Sequence, residues 1–320
     1  MKKALVFGGN GFLGLFIVKE LCEKNFEVLI VSRTKGNFEV LKTFGFPGQI
    51  SLRLFDVTSS NSLEEFDFTK FDVVINLIGI GLERGKNSYY RVHVEFPTRL
   101  ASIVKKSNVK LVHISAFIGN AVEAVNTEGS ARLKGGNKYI KTKIEGECAV
   151  FKNNQKAIII RPSMLIGDNA PTIKMFEKVI DSLPIVPLVM GGKTKIQPVF
   201  AGDVAKFIVN AFEVDEMQGK TFNLLGNEVI LLKEFVERIC GFMNKRPLLI
   251  SVPLFLVKFS FKTLELLPKF IFRLEVTSDI ISLSKYDAIS KKNDIKLLIE
   301  SPKTIDDVLK TALSKYKLYD

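Results

Sequence analysis

The stretch Ala4-Leu5-Val6-Phe7-Gly8-Gly9-Asn10-Gly11-Phe12-Leu13-Gly14 decides the fold. Its four leading apolar residues read as a strand, its glycines as a tight turn, and the amphipathic run Phe12–Lys24 behind them as a helix. Each glycine of the GxxGxxG spacing has its own reason. Gly8 permits the turn, Gly11 lets the backbone approach a pyrophosphate, and Gly14 lets the helix pack closely on the strand. The helix start, at Phe12 and Leu13, offers free N–H groups and the positive end of a dipole to phosphates. The context of strand, turn and helix raises this motif above a plain glycine-rich turn and makes it an expected dinucleotide pyrophosphate site.

Working outward, short apolar strands recur at Glu27–Val31, Ser51–Leu54, Val73–Leu77, Lys110–Ser115 and Ala157–Arg161. Amphipathic stretches lie between them, notably Tyr89–Ser107 and Tyr139–Lys152. Alternation of this kind predicts an α/β fold: a Rossmann-type, doubly wound parallel sheet with helices on both faces. After Pro162 the rhythm changes. Prolines and glycines punctuate Leu183–Gly192, and helical patterns follow at Ala201–Phe212, Leu232–Met243 and Pro253–Leu267. The expected organisation is a dinucleotide-binding domain over 1–165, its sheet completed by part of 195–225, and a smaller, mainly helical C-terminal lobe over 166–320.

The end of the second strand speaks to the choice of nucleotide. NAD sites usually place a carboxylate there, about twenty residues after the glycines, for the ribose 2′-OH. This chain has Ser32-Arg33, with Lys35 close by. A guanidinium without a carboxylate suits a 2′-phosphate, so NADP(H) is expected over NAD(H). The alternative for Arg33 is a solvated charge stacked on adenine.

Bulk properties narrow the remaining classes. The chain of 320 residues has a formal net charge of +12. A basic excess suits an anionic partner, but the lysines are scattered rather than blocked, and the abundance of Lys, Ile, Asn and Phe also fits a base-composition bias. No nucleic-acid partner is expected. Cys22, Cys148 and Cys240 are few and far apart without a CxxC pair, which points to a reducing compartment and to neither a disulfide frame nor a zinc site. With only His93 and His113 present, a histidine metal site or a Ser-His-Asp triad lacks material; both read as packing histidines. The opening apolar run reads as a strand rather than a signal peptide. The most apolar region, Leu248–Phe272, is interrupted by Lys258, Lys262, Glu265, Pro268 and Lys269, short of the about 20 uncharged residues a membrane span needs.

Several further blocks resemble the extended, atypical short-chain dehydrogenases of the NAD-dependent epimerase/dehydratase superfamily. Asp56-Val57 resembles the pair that contacts adenine, and Leu77-Ile78-Gly79 the loop beneath the cofactor ribose. Tyr139 and Lys143 match YxxxK, and Arg161-Pro162-Ser163 matches the segment closing the sixth strand. A closer resemblance is to the nucleotide-binding accessory subunits of respiratory complex I, of the alpha-subcomplex subunit 9 type. It is carried by Asn76–Gly79, Val92-His93-Val94, His113–Ala116, Tyr139–Lys143 with Glu145-Gly146-Glu147, and Gln197–Phe200 before Gly202–Ala205. It runs from residue 1 to roughly 240.

The resemblance implies a cofactor site of Gly8, Gly11, Phe12, Leu13, Gly14, Ser32, Arg33, Asp56, Val57, Leu77, Ile78, Gly79, Ser115, Tyr139, Lys143 and Pro162. It implies Tyr139 as acid/base, with Lys143 on the same helix face lowering its pKa and holding the nicotinamide ribose. The serine departs from the pattern. Ser115 is read as the strand's last residue, and the places deeper in the loop hold Ala116 and Phe117, which implies nucleotide held rather than turned over. Complex I subunits are the implied partners and the inner, cytoplasmic face of a respiratory membrane (the matrix side in an organelle) the implied location. The competing readings are a free NADP-dependent reductase or sugar-nucleotide epimerase or dehydratase, and an NADP(H) sensor.

Three features stand outside that site. Asp203 is expected to cap the helix it begins. Gly191-Gly192-Lys193 lacks phosphate-loop spacing and reads as a turn. Over 253–272, Lys258, Lys262, Glu265 and Lys269 make one polar stripe on an apolar cylinder, which suits either burial in the lobe or contact with a membrane surface or partner.

Overall fold

The computed structural model describes residues 1–59, 63–119, 122–125, 131–133, 137–256 and 283–319. Seven strands form one parallel sheet: β1 (Lys3–Phe7), β2 (Glu27–Ser32), β3 (Ile50–Leu54), β4 (Val73–Asn76), β5 (Lys110–Ile114), β6 (Ile158–Pro162) and, much later in the chain, Thr221–Leu224. The order across the sheet is Thr221–Leu224, β6, β5, β4, β1, β2, β3. β1 therefore has β2 on one side and β4 on the other, in register Val6↔Ile30 and Val6↔Ile75. The chain reverses direction across the sheet here, opening a crevice at the strands' carboxyl ends, where doubly wound folds bind their ligands.

Alternation along the strands assigns the two faces. Ala4 and Val6 of β1, with Val28, Ile30, Val73 and Ile75, pack under α1 (Phe12–Glu23) and the later helix Ala201–Ala211. Leu5 and Phe7, with Val74, Leu111 and Ile159, pack under α2 (Phe96–Lys106) and α3 (Lys138–Asn153). A strand buried on both sides must be apolar at every position, as β1 is after Lys3.

A second hydrophobic cluster gathers later in the chain. α4 (Pro171–Ser182), β7 (Ile185–Val189), α5 (Ala201–Ala211), β8 (Thr221–Leu224), α6 (Leu232–Phe242), β9 (Leu248–Val252) and α7 (Ile305–Ala312) complete the described elements used below. Ile173 and Phe176 of α4, Phe235 and Ile239 of α6, and Val308 and Leu309 of α7 meet with Val186 and Leu188 of β7. Short strand pairs interrupt a lobe that the sequence pattern reads as helical after Pro162. Among them β7 and β9 run parallel side by side.

Other departures have local causes. β8 is short and follows the turn at Gly219, so it carries little periodic signal; its ladder is with β6, far back in the chain. The expected helix Tyr89–Ser107 runs unbroken from Tyr89 to Lys106, but with a π-helical turn, Arg91–Glu95, between its first residues and α2. That wider turn lets Val92, His93 and Val94 all be buried in succession. Asp203 does not cap its own helix: its carboxylate accepts the backbone N–H of Lys303 at 2.7 Å and pins the C-terminal segment. Gly191 and Gly192 do form a turn, both with positive φ. Pro253 leads into a helical turn, Leu254–Leu256, and 257–282, which contain most of the expected Pro253–Leu267 helix and of the 253–272 stripe, lie outside the described residues.

α3 rests backbone to backbone on the π-helical turn. A Cβ added at Gly146 would lie 1.9 Å from the carbonyl oxygen of His93. Gly146→Ala is expected to cost about 1–3 kcal/mol through overpacking. Gly241→Ala on α6, where a Cβ meets nothing within 4 Å, is expected to be neutral or to stabilise by up to about 1 kcal/mol. Urea unfolding of the two variants measures the difference.

Candidate functional site

The site begins at the carboxyl end of β1. Gly8 has φ +78°, a conformation costly for any residue with a Cβ, and its N–H bonds Val31 O at 2.8 Å. Gly14 is required for closeness instead, since a Cβ there would sit 2.3 Å from Gly9 O. Gly11 is the N-cap of α1 and provides no side-chain cap. The first helical hydrogen bond is Leu15 N–H to Gly11 O, at 3.1 Å. The N–H groups of Phe12, Leu13 and Gly14 precede it and point along the helix axis, the arrangement that receives a phosphate.

A second loop is tied across this one. Asn10 Nδ2 donates to Thr34 O at 2.7 Å, and Asn37 Nδ2 donates back to Asn10 O at 3.0 Å. The segment after β2, with Ser32 half-buried and Arg33 exposed, is thereby held beside the glycine loop. Among the described residues Arg33 forms no ion pair, so its guanidinium is available to an anion. After β3, Asp56 is clamped in a turn, its Oδ1 accepting from the N–H and the hydroxyl of Thr58 at 2.9 and 2.8 Å. Val57 beside it is buried.

The other end of the crevice holds a buried polar cluster. Asn76, wholly buried at the end of β4, donates from Nδ2 to His113 Nδ1 at 3.0 Å and accepts the N–H of Ile78 at 3.1 Å. His93 Nε2 accepts the N–H of Ile80 at 3.1 Å, which leaves its proton on Nδ1, 3.0 Å from the hydroxyl of Thr142. Lys143, one residue on, is buried with its Nζ 3.4 Å from Ile114 O. A Cβ on Gly79 would lie 3.4 Å from that ammonium. Leu77, Ile78 and Gly79 thus form a loop laid directly over the Lys143 head group.

The electrostatics follow from burial. Burial lowers Lys143 to about 8, partly opposed by Glu147. Burial, then the Lys143 charge, drives His93 to about 2 and His113 to about 3, so both are neutral. Tyr139 goes the other way: burial, then Tyr89, raises its hydroxyl to about 12. Its ring lies edge-on to Tyr89 and His93, at 5.8 and 5.5 Å. Arg161 of β6 donates to both carboxylate oxygens of Glu147 at 3.0 Å and locks α3 to the sheet.

Ser115 requires a correction. β5 ends at Ile114, so Ser115 is the first loop residue rather than the last of the strand. It is buried, its N–H bonds Ile160 O at 2.7 Å, and among the described residues its hydroxyl has no hydrogen-bond partner. Ala116 and Phe117 are more exposed, and Phe117 N–H bonds Pro162 O at 2.8 Å. A buried hydroxyl without a partner is costly and suits a ligand that supplies one. The Gly8–Gly14 cradle, the available Arg33 guanidinium and the unpartnered Ser115 hydroxyl therefore fit a nicotinamide dinucleotide. Reading the sequence as a string missed Asn76, Tyr89, His93, His113 and Thr142 as members of the site. Asn76, His93, His113 and Thr142 lie in blocks that carry the resemblance without being read as site residues, and the spacing of His93 four residues after Tyr89 was a further signal.

A model for "NAD dependent epimerase/dehydratase family" matches residues 4–224. The chain belongs to this family. Within it, the chain is 30% identical to the mouse protein "NADH dehydrogenase [ubiquinone] 1 alpha subcomplex subunit 9, mitochondrial", over 83% of this chain and 67% of that one. Its Arabidopsis thaliana counterpart is 28% identical over 78% of this chain. The "NADH-ubiquinone oxidoreductase 40 kDa subunit, mitochondrial" of Neurospora crassa is likewise 28% identical over 78%. The alignment spans only 60% of the Arabidopsis protein's length and 62% of the Neurospora one's. Solved structures share the fold. A dTDP-glucose 4,6-dehydratase from Bacillus anthracis in complex with NAD superposes over 100% of this chain and 97% of its own, with TM-score 0.71 and 18% identity. WbmG of Bordetella bronchiseptica in complex with NAD gives 0.70 and 15%, over 99% of this chain and 94% of its own. Among the described residues no group of His, Cys, Asp and Glu is placed to hold a metal ion. No described helix is long and apolar enough to cross a membrane.

The polar cluster makes stability depend on pH in two windows. Both histidines have folded pKa values far below the unfolded value of about 6.5, so below that pH the unfolded chain binds more protons. Stability is expected to fall from pH 6.5 to 5, with a slope approaching about 1.4 kcal/mol per pH unit for each histidine. His113→Asn should remove one share of that slope. Lys143 acts in the same sense on the alkaline side: folded Lys143 loses its proton near 8 while unfolded lysine keeps it, so stability rises again as pH goes from 8 towards 10. Chemical denaturation across both windows reads the slopes, and Lys143→Met should flatten the alkaline one.

Proposed function

We propose that this chain is an NADP(H)-holding accessory subunit of a respiratory NADH:quinone oxidoreductase, one that keeps its nucleotide rather than turning it over. The observation carrying the assignment is the similarity to complex I subunits from animal, plant and fungus across three quarters or more of the chain. In this reading the pyrophosphate lies over Gly8 and Gly11 and rests on the Phe12, Leu13 and Gly14 amides, and Ser32 and Arg33 face the 2′-phosphate. Asp56 and Val57 border the adenine. Leu77, Ile78, Gly79, Ser115, Tyr139, Lys143 and Pro162 surround the nicotinamide ribose. The chain's partners are other complex I subunits at the cytoplasmic or matrix face of the membrane, with peripheral membrane contact through the lobe.

Tyr139, raised to about 12 by burial and then by Tyr89, keeps its proton throughout neutral pH, so it is placed to donate and not to act as a base there. The second reading, a free NADP-dependent reductase or epimerase, is favoured by one observation: the buried Ser115 hydroxyl one residue into the loop, beside an intact Tyr139–Lys143 pair.

The protein is expected to purify with NADP(H) bound and to co-migrate with complex I on native gels. Arg33→Ala should weaken NADPH binding about 10- to 100-fold, the worth of a charge-assisted hydrogen bond, and leave NADH binding within a few-fold. Equal NADPH and NADH affinities in the unaltered protein would remove the NADP(H) assignment. Carbonyl or sugar-nucleotide turnover that is lost in Tyr139→Phe would replace this reading with the second.

A further inference from the structure

The β7–β9 pair has an outward face of unusual composition. The strands run parallel in the register Ile185↔Leu248, Pro187↔Ile250 and Val189↔Val252. Val186 and Leu188 point inward to the lobe core and are 1% and 3% exposed. The register pairs form the opposite face, where Ile185, Leu248 and Ile250 are 41%, 63% and 38% exposed. A sheet with one side in solvent ordinarily alternates apolar and polar residues. Here the outward positions are apolar on both strands. Phe255 and Leu256, which follow β9 in the chain, are apolar and exposed as well, 69% and 47%. Exposed apolar side chains gathered on one element in this way mark a contact.

The ends of the face are basic. Arg246 lies just before β9, and Lys193 follows the Gly191-Gly192 turn beyond β7. Both are exposed, and among the described residues neither forms an ion pair. Lys245 beside Arg246 is paired with Asp181 at 2.6 Å. An apolar face flanked by unpaired cations, on a chain of net charge +12, complements an extended anionic surface.

We propose that the outward face of β7 and β9, with Phe255 and Leu256, seats on an anionic phospholipid surface, its apolar side chains entering the headgroup boundary and Arg246 and Lys193 meeting lipid phosphates. This deepens the membrane contact proposed above and rests on that reading only for which membrane is met.

The test is co-sedimentation of the full chain with vesicles of phosphatidylcholine alone or mixed with phosphatidylglycerol. Binding is expected to the mixed vesicles and to fade with salt. The double variant Leu248→Glu/Ile250→Glu should lower it about tenfold or more, since it exchanges apolar burial for like-charge repulsion. Arg246→Glu should lower it by less. Because these side chains are exposed, melting temperature and NADP(H) affinity should not move. No binding to mixed vesicles, or equal binding by the double variant, overturns the proposal. So does a dimer of the unaltered chain that the variant dissolves, which gives the face to a second copy, or a marked drop in the variant's melting temperature, which makes it an internal contact. Vesicle binding without co-migration with complex I would sink the accessory-subunit reading and leave this one standing; the reverse would do the opposite.

Discussion

The buried ammonium of Lys143 is the constraint around which the crevice is organised. A charge taken out of water must be compensated, and among the described residues its partners are the Ile114 carbonyl at 3.4 Å and, through space, Glu147. Shared burial, and after it the Lys143 field, force both neighbouring histidines to be neutral. A neutral imidazole has one donor and one acceptor nitrogen, and here the protein specifies which is which. His93 must accept from Ile80, so it donates to Thr142; His113 must accept from Asn76. Those bonds fix the course of residues 76–80 over the ammonium. The loop beneath the expected nicotinamide ribose is thus shaped by a charge on a different element, α3.

The same logic explains what the sequence made legible. The core sheet was readable because strands buried on both faces need unbroken apolar runs, and β1, β4 and β6 have them. The glycine loop was readable because Gly8 and Gly14 answer to local backbone geometry. Strand ends were placed to within a residue, and that residue mattered at Ser115, where the difference separates a strand end from a loop hydroxyl. Contacts between distant segments left no trace. Asp203 looks like a cap from its neighbours, yet its bond is to Lys303, a hundred residues away. The π-helical turn was hidden because the pattern of Val92, His93 and Val94 answers to Gly146 packed against it, not to any period of its own.

The basic excess also changes meaning once its members are placed. Lys2 and Lys24 share Glu213, linking the start of β1 and the end of α1 to the segment after α5. Arg238 of α6 reaches Glu228, Glu234 and Asp306, joining α6 to α7. Exposed pairs of this kind contribute at most about 1 kcal/mol each, so they tune docking of elements rather than determine the fold. The Arg161–Glu147 pair is different, since Glu147 is buried and both its oxygens are occupied. Losing Arg161 would leave a buried carboxylate unpaired on α3, one turn from Lys143. Arg33, beside the glycine loop, has no acidic partner among the described residues and is free to meet an anion there.

A nucleotide in this crevice would do structural as well as chemical work. The glycine loop, the Arg33 loop, the Asp56 turn, the Leu77–Gly79 loop and the Ser115 loop come from five different strands, and few bonds join them across the crevice. Asn10 links the first two directly, and Lys143 and its histidines organise the last two. A dinucleotide touching all five would supply the missing cross-links and stabilise the folded state by mass action, about 2.7 kcal/mol at a hundredfold excess over its dissociation constant. That gain requires affinity and leaves catalysis aside. Loss of turnover is therefore no reason for such a chain to lose its glycine loop, and a fold built for hydride chemistry can persist as a clamp whose bound nucleotide completes it.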